Sequence, residues 1–169
     1  MSLKEEDRKT LVKLYWSKVE QTIEEAHIAM SGDSWSMAAN RIYYACFHAI
    51  TALLVKDEHP VGTHLGTKIN FGKYYVQQGL ASPEQGRLFS QLASLREKSD
   101  YDIYFKATKE DVQKYYPEAL ALVEHISLKL NFSPIVFQCL ANYKSCFNNA
   151  RLFLSRGRLL SNKGSLLNC

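Results

Sequence analysis

The chain has 169 residues, 46% hydrophobic and 22% charged, with a formal net charge of +4. That length and composition are those of a single domain able to bury a core without metals or disulfides. No apolar run approaches the length needed to span a bilayer, and the mixed-sign start MSLKEEDRK argues against a leader, so the expectation is a cytoplasmic protein with no membrane association. Four cysteines, at Cys46, Cys139, Cys146 and Cys169, form no C-x-x-C pair, so they read as reduced thiols; neither a disulfide framework nor a zinc site is indicated, and no cofactor is expected.

Apolar residues recur at three and four positions throughout, and no segment alternates with period two. Leu11, Tyr15, Val19, Ile23, Ala26 and Met30 predict a first helix, closed by SGDS. Ala38, Ile42, Ala45, Ala49 and Leu53 predict a second, ended by the proline and glycine of KDEHPVGTH. A third is expected through Leu65, Ile69 and Val76, with Gly79 as its C-terminal stop. SPEQ at residues 82–85 has the features of a helix start: a serine N-cap, proline in the first turn and glutamine placed to reach back. A fifth helix opens at TKED, residues 108–111, and continues through Val112, Tyr116, Ala119, Val123, Ile126 and Leu130; Pro117 predicts a kink or restart near Tyr116.

The expected fold is therefore all-α, an up-and-down bundle of about five helices. Residues 1–132 carry 16 basic and all 17 acidic side chains, whereas residues 133–169 carry five basic and no acidic ones. We divide the chain there, into a bundle (1–132) and a basic C-terminal extension (133–169), in which Val136, Leu140, Tyr143, Phe147, Ala150 and Leu154 have the spacing of a sixth helix. Such an extension reads as loosely docked chain, with contact to nucleic acid or an acidic surface as the alternative.

Two helices carry a second, polar stripe. At about 100° per residue, Arg41, Tyr44, His48 and Thr51 share one face of the second helix, placed to look toward the fourth. On the fourth helix Leu88, Leu92 and Leu95 face the core, and Phe89, Ala93, Arg96, Asp100 and Tyr104 share a neighbouring stripe. Arg96 and Asp100, four apart, are placed to pair as an ordinary surface ion pair.

Three blocks, AANRIYYACFHAITALL, GTHLGTKINFGKYYVQQGLAS and LREKSDYD, in this order and spacing, resemble the HEPN domain, a small helical module named for nucleotide binding in higher eukaryotes and prokaryotes. The likeness covers about residues 10–130 and falls in the branch whose motif reads R-x-x-x-D-Y. It implies a helical bundle that forms a homodimer, binds RNA or nucleotide, and acts as the toxin-like or substrate-binding half of a pair with a small nucleotidyltransferase. In active members an arginine is followed by a histidine, and the domain is a metal-independent ribonuclease. The arginine maps onto Arg96, but Tyr101, Asp102 and Ile103 stand where the histidine would be, which leaves catalysis open.

Metal-free RNA cleavage needs a base for the 2′-hydroxyl, an acid for the leaving oxygen and a cation for the phosphate. The candidate catalytic residues are Arg96 as cation, Asp100 as base if not consumed by Arg96, Tyr101 as proton donor, and His48 as substitute acid–base. Arg41, Tyr44 and Tyr104 are the candidate substrate contacts. His64 reads as a capping or packing residue near a helix start, and with His59 forms no recognised ligand arrangement, so metal is discounted. The competing reading is a non-catalytic dimeric interaction module in which Arg96, Asp100 and Arg41 form a structural ion-pair network.

Overall fold

The computed structural model describes residues 4–133, and these form five α-helices and one π-helical turn, with no strand among them. The helices are α1 (Glu5–Ser31), α2 (Trp35–Lys56), α3 (His64–Phe71), α4 (Pro83–Tyr101) and α5 (Lys109–Leu130); the π turn, Gly72–Val76, directly continues α3. The six positions proposed for a further helix between Val136 and Leu154 lie outside the described residues, as does the basic extension beyond Ser133.

The expected all-α bundle is what forms, with α2 at its centre. This helix packs against α1 along most of its length and also touches α3, α4 and α5. Its buried positions explain how one helix serves four neighbours. Ala38, Ala45, Ala49 and Ala52 let α1 and α5 approach closely, while Ile42, Ile50, Leu53 and Leu54 supply apolar volume. The expected core positions of α2 and of α5 are all buried.

Both predicted capping boxes form. Ser82 accepts from the Gln85 backbone at 3.2 Å while the Gln85 side chain accepts from the Ser82 N–H at 2.9 Å; Thr108 and Asp111 do the same for α5. Gly79 adopts φ +70°, a conformation that suits glycine in the turn before α4.

Three local expectations are corrected. In α1 the core takes Val12 and Trp16, leaving Leu11 and Tyr15 half-buried, because α2 crosses α1 on the adjoining face. In α3 the stripe is displaced: Leu65 and Ile69 are exposed, and Thr67, Phe71 and Tyr75 are buried. The buried stripe Thr67, Phe71, Tyr75 keeps four-residue spacing but is offset by two residues from Leu65 and Ile69, and its first member is polar, so an apolar pattern passes over it. Finally, of the kink or restart expected near Tyr116, the restart does not occur: α5 runs through Pro117 as one helix, with Tyr116, Ala119, Leu120 and Val123 on both sides of the proline held in the core.

Candidate functional site

At the end of α4 the side chains of Arg96 and Asp100 project toward the first half of α2. The Arg96 Nε lies 2.9 Å from Asp100 Oδ2 without the alignment of a hydrogen bond, so the contact is an ion pair. Asp100 is engaged a second time: the Asn40 amide donates to both of its oxygens, at 3.0 and 2.9 Å. Asn40 in turn accepts from Arg41 Nε at 3.1 Å and Nη2 at 2.6 Å, and Arg41 Nη1 reaches Glu25 on α1 at 2.9 Å. Arg41, Asn40 and Asp100 thus form a chain from α1 through α2 to α4, with two arginines balanced by two carboxylates. The hydrogen bond from Arg41 holds the Glu25 carboxyl below its ordinary pKa.

Tyr44, one turn beyond Asn40 on α2, is the hub. Its hydroxyl accepts from Arg96 Nη2 at 3.1 Å. The Arg96 guanidinium carbon lies 5.6 Å from the Tyr44 ring centre and 5.3 Å from that of Tyr101, and Arg41 lies 5.4 Å from the Tyr44 ring. These are cation–π distances. Burial opposes the Arg96 charge, but Tyr44, Tyr101 and Asp100 together outweigh it and raise the pKa above the usual arginine value.

Two histidines of the region pack near Tyr44. His48 packs against Tyr15, Tyr44 and Phe47, with ring centres 6.2, 5.9 and 5.6 Å away. Its environment is α1, not α4 as expected: burial lowers its pKa first, followed by the charges of Lys18 and Arg41, and its buried Nδ1 has no hydrogen-bond partner among the described residues. His64 is on the α4 side. As the first residue of α3 it follows the Thr63 N-cap, and its Nδ1 is 2.9 Å from the Tyr43 hydroxyl. Its ring sits 4.5 Å from Phe47 and edge-on to Tyr44 at 5.7 Å. Partial burial and then the Arg96 charge lower its pKa. Tyr43, stacked on Phe89 at 5.6 Å, is pushed up to about 12 by burial, so its hydroxyl stays protonated and both donates and accepts.

Of the seven residues singled out from the sequence, Arg96, Asp100, Tyr101, Arg41 and Tyr44 come together, and His48 touches the group through Tyr44. Tyr104 does not: α4 ends at Tyr101, and Tyr104 stands 92% exposed, its N–H bonded to Asp102 Oδ1. Sequence reasoning missed Asn40, Glu25, Tyr43 and His64. The sequence places His64 near a helix start, but nothing local pairs it with a residue 32 positions later. Among the described residues no cluster of three or more His, Cys, Asp or Glu is arranged to hold a metal ion, and no helix is long and apolar enough to cross a membrane.

The sequence pattern of the HEPN domain matches residues 12–129, the whole span of α2 to α4 and most of α1 and α5. The chain belongs to the HEPN domain family. Three relatives agree in extent. A protein of Methanocaldococcus jannaschii named "Putative toxin MJ0605" is 32% identical over 111 residues, covering 66% of this chain and 82% of that protein. A UPF0332 protein of Thermotoga maritima is 25% identical over 113 residues, 66% of this chain and 86% of its own length. A UPF0332 protein of Archaeoglobus fulgidus is 28% identical over 114 residues, 68% of this chain and 90% of its own. The charge of Arg96 lowers the pKa of the His64 imidazole, which comes from another helix.

Proposed function

We propose that this HEPN domain is a toxin-like module that binds RNA or nucleotide at Arg96, works as a homodimer, and pairs with a small nucleotidyltransferase. The observation that carries the reading is the setting of Arg96: a guanidinium held between the rings of Tyr44 and the 72% exposed Tyr101, at the rim of the bundle. Asp100 and Tyr44 engage Nε and Nη2, and the solvent-facing Tyr101 is a partner that a phosphate oxygen readily displaces. The open Tyr101 face gives a base a stacking platform. Toxin character is taken from the name of the Methanocaldococcus relative.

On this reading the residues around Arg96 take the following roles in RNA cleavage. Asp100 is committed to Arg96 and Asn40, which removes it as a base. His64 is neutral near pH 7, and its Nε2 has no hydrogen-bond partner among the described residues. In the reaction it takes the 2′-hydroxyl proton while Nδ1–H donates to the Tyr43 hydroxyl. The 2′-oxygen attacks the adjacent phosphorus, the P–O5′ bond breaks to leave a 2′,3′-cyclic phosphate, and the Tyr101 hydroxyl protonates the departing 5′-oxygen. Arg96 neutralises the charge that builds on the phosphoryl oxygens.

The test is incubation of labelled single-stranded and hairpin RNA with the protein in chelator, beside Arg96→Ala, His64→Ala and Tyr101→Phe. Arg96→Ala is expected to lose binding at least tenfold, and His64→Ala to keep binding but lose cleavage. Unchanged binding by Arg96→Ala overturns the site. A specific observation favours a second reading, that of a structural network in a dimeric interaction module: the charges of Glu25, Arg41, Asp100 and Arg96 balance with no ligand. That reading requires Arg96→Ala to lower stability while leaving RNA binding untouched, so one pair of measurements separates the two.

A further inference from the structure

A groove of about 810 Å³ runs between α3 with its π turn and the N-terminal half of α4, away from Arg96. Ile69 and Val76 line one wall and Pro83 and Gly86 the other. Ile69 is 57% exposed, a large aliphatic side chain left in water by the displaced stripe of α3. Lys68, Lys73 and Arg87 stand around the opening, and no carboxylate lines it. The Lys68 ammonium has no ion-pair or hydrogen-bond partner among the described residues, and Lys73 only lies over the Tyr74 ring at 4.9 Å. Arg87 pairs with the exposed Glu84, which leaves most of its donors unused.

The chemistry of these walls selects among occupants. A single-stranded nucleic acid would match the cations but needs open ring faces, and the two aromatics of the floor, Phe71 and Phe89, are 2% and 1% exposed. The chain's own residues 134–169, with five basic and no acidic side chains, carry the wrong charge. Aliphatic side chains flanked by carboxylates satisfy both the floor and the rim. The lining on this wall runs from Lys68 to Gln77, about 15 Å at 1.5 Å per residue, enough for two to three turns of a partner helix.

We infer that the α3–α4 groove is a docking site for an acidic amphipathic helix of a partner protein. Its apolar residues, spaced three and four apart, fill the groove beside Ile69 and Val76, and its Asp and Glu side chains face Lys68, Lys73 and Arg87. The charges set orientation and association rate, and the buried apolar face sets affinity.

The test places the photo-crosslinker benzoylphenylalanine at Ile69 in the full chain, expressed in the cells that naturally make it, with a second version carrying it at Leu14 on the outer face of α1. Adducts are identified by mass-spectrometric sequencing of the joined segment. The expected result is an Ile69 adduct, absent from Leu14, to a segment of another protein with acidic residues flanking apolar ones at helical spacing. Lys68→Glu with Lys73→Glu should reduce it at least fivefold with no change in melting temperature, and Arg96→Ala should leave it unchanged, which separates this surface from the RNA site. An adduct to RNA, to a second copy of this chain or to a non-acidic segment overturns the inference, as does no adduct or one indifferent to charge reversal.

Discussion

His27 on α1 is buried against α5, its Nε2 bonded to the Tyr116 hydroxyl and its ring edge-on to Tyr116 at 5.6 Å. Burial holds its pKa below the usual histidine value, with the Glu24 charge opposing. A histidine whose folded pKa is depressed binds fewer protons than the unfolded chain below about pH 6.5, so protonation favours unfolding and stability falls as pH drops through that value. His48 and His64 shift in the same direction and add to the effect. The expected outcome is a melting temperature that declines between pH 7 and pH 5, with His27→Gln removing part of the decline; an unchanged pH profile in that variant would contradict it. At Arg96 the conservative change is equally informative. Lysine keeps the charge but loses the planar fork and the stacking between Tyr44 and Tyr101, so Arg96→Lys should bind RNA about tenfold more weakly than wild type in a titration. The Arg96–Asp100 pair is legible in the sequence because both residues lie on one helix, four apart. Asn40 and His64 are not, because their contacts depend on how α2, α3 and α4 cross, and a single sequence read by period contains no term for that crossing.

The elements whose ends are set by local chemistry are the legible ones. Ser82 and Thr108 occupy N-caps because a hydroxyl one bond from Cβ can reach the otherwise unpaired N–H groups of the first turn, and the requirement is met within four residues. Ser82→Ala should therefore cost about 1 kcal/mol in urea unfolding, with no change in the shape of the folded-state circular dichroism spectrum. A cost near zero would mean that the α4 start is held by packing instead, through Gly86 against Val76, where an added Cβ would come within 3.1 Å. In α3, by contrast, the facing departs from the periodic expectation although the extent of the helix nearly matches it. The helix is short, and its buried stripe begins at the polar Thr67, which an apolar pattern does not count. The exposed Leu65 and Ile69 thus have the spacing of core residues and lie on the surface in the fold.

At the scale of the molecule, the bundle closes on itself within the described residues. Asn131 caps α5 in a left-handed conformation, and Phe132 then stacks on Trp16 of α1 at 5.0 Å, joining the last helix to the first. A chain cut after Ser133 keeps that stack and every residue found buried among the described ones, so it should melt cooperatively with the helices of the bundle intact. A cut before Phe132 should lower the melting temperature by uncovering Trp16. The shortened chain also separates two contributions to RNA affinity that the full chain superimposes. Arg96 is in the bundle, whose charges nearly cancel, whereas five basic side chains lie beyond Ser133. Each phosphate contact on a single strand adds about 0.7 to the slope of log affinity against log salt. If binding is anchored at Arg96, the chain cut after Ser133 still binds RNA at low salt, still fails when Arg96 is alanine, and shows a shallower salt slope than the full chain. If the cut abolishes binding that Arg96→Ala does not touch, affinity belongs to the basic residues and the α2–α4 network is structural.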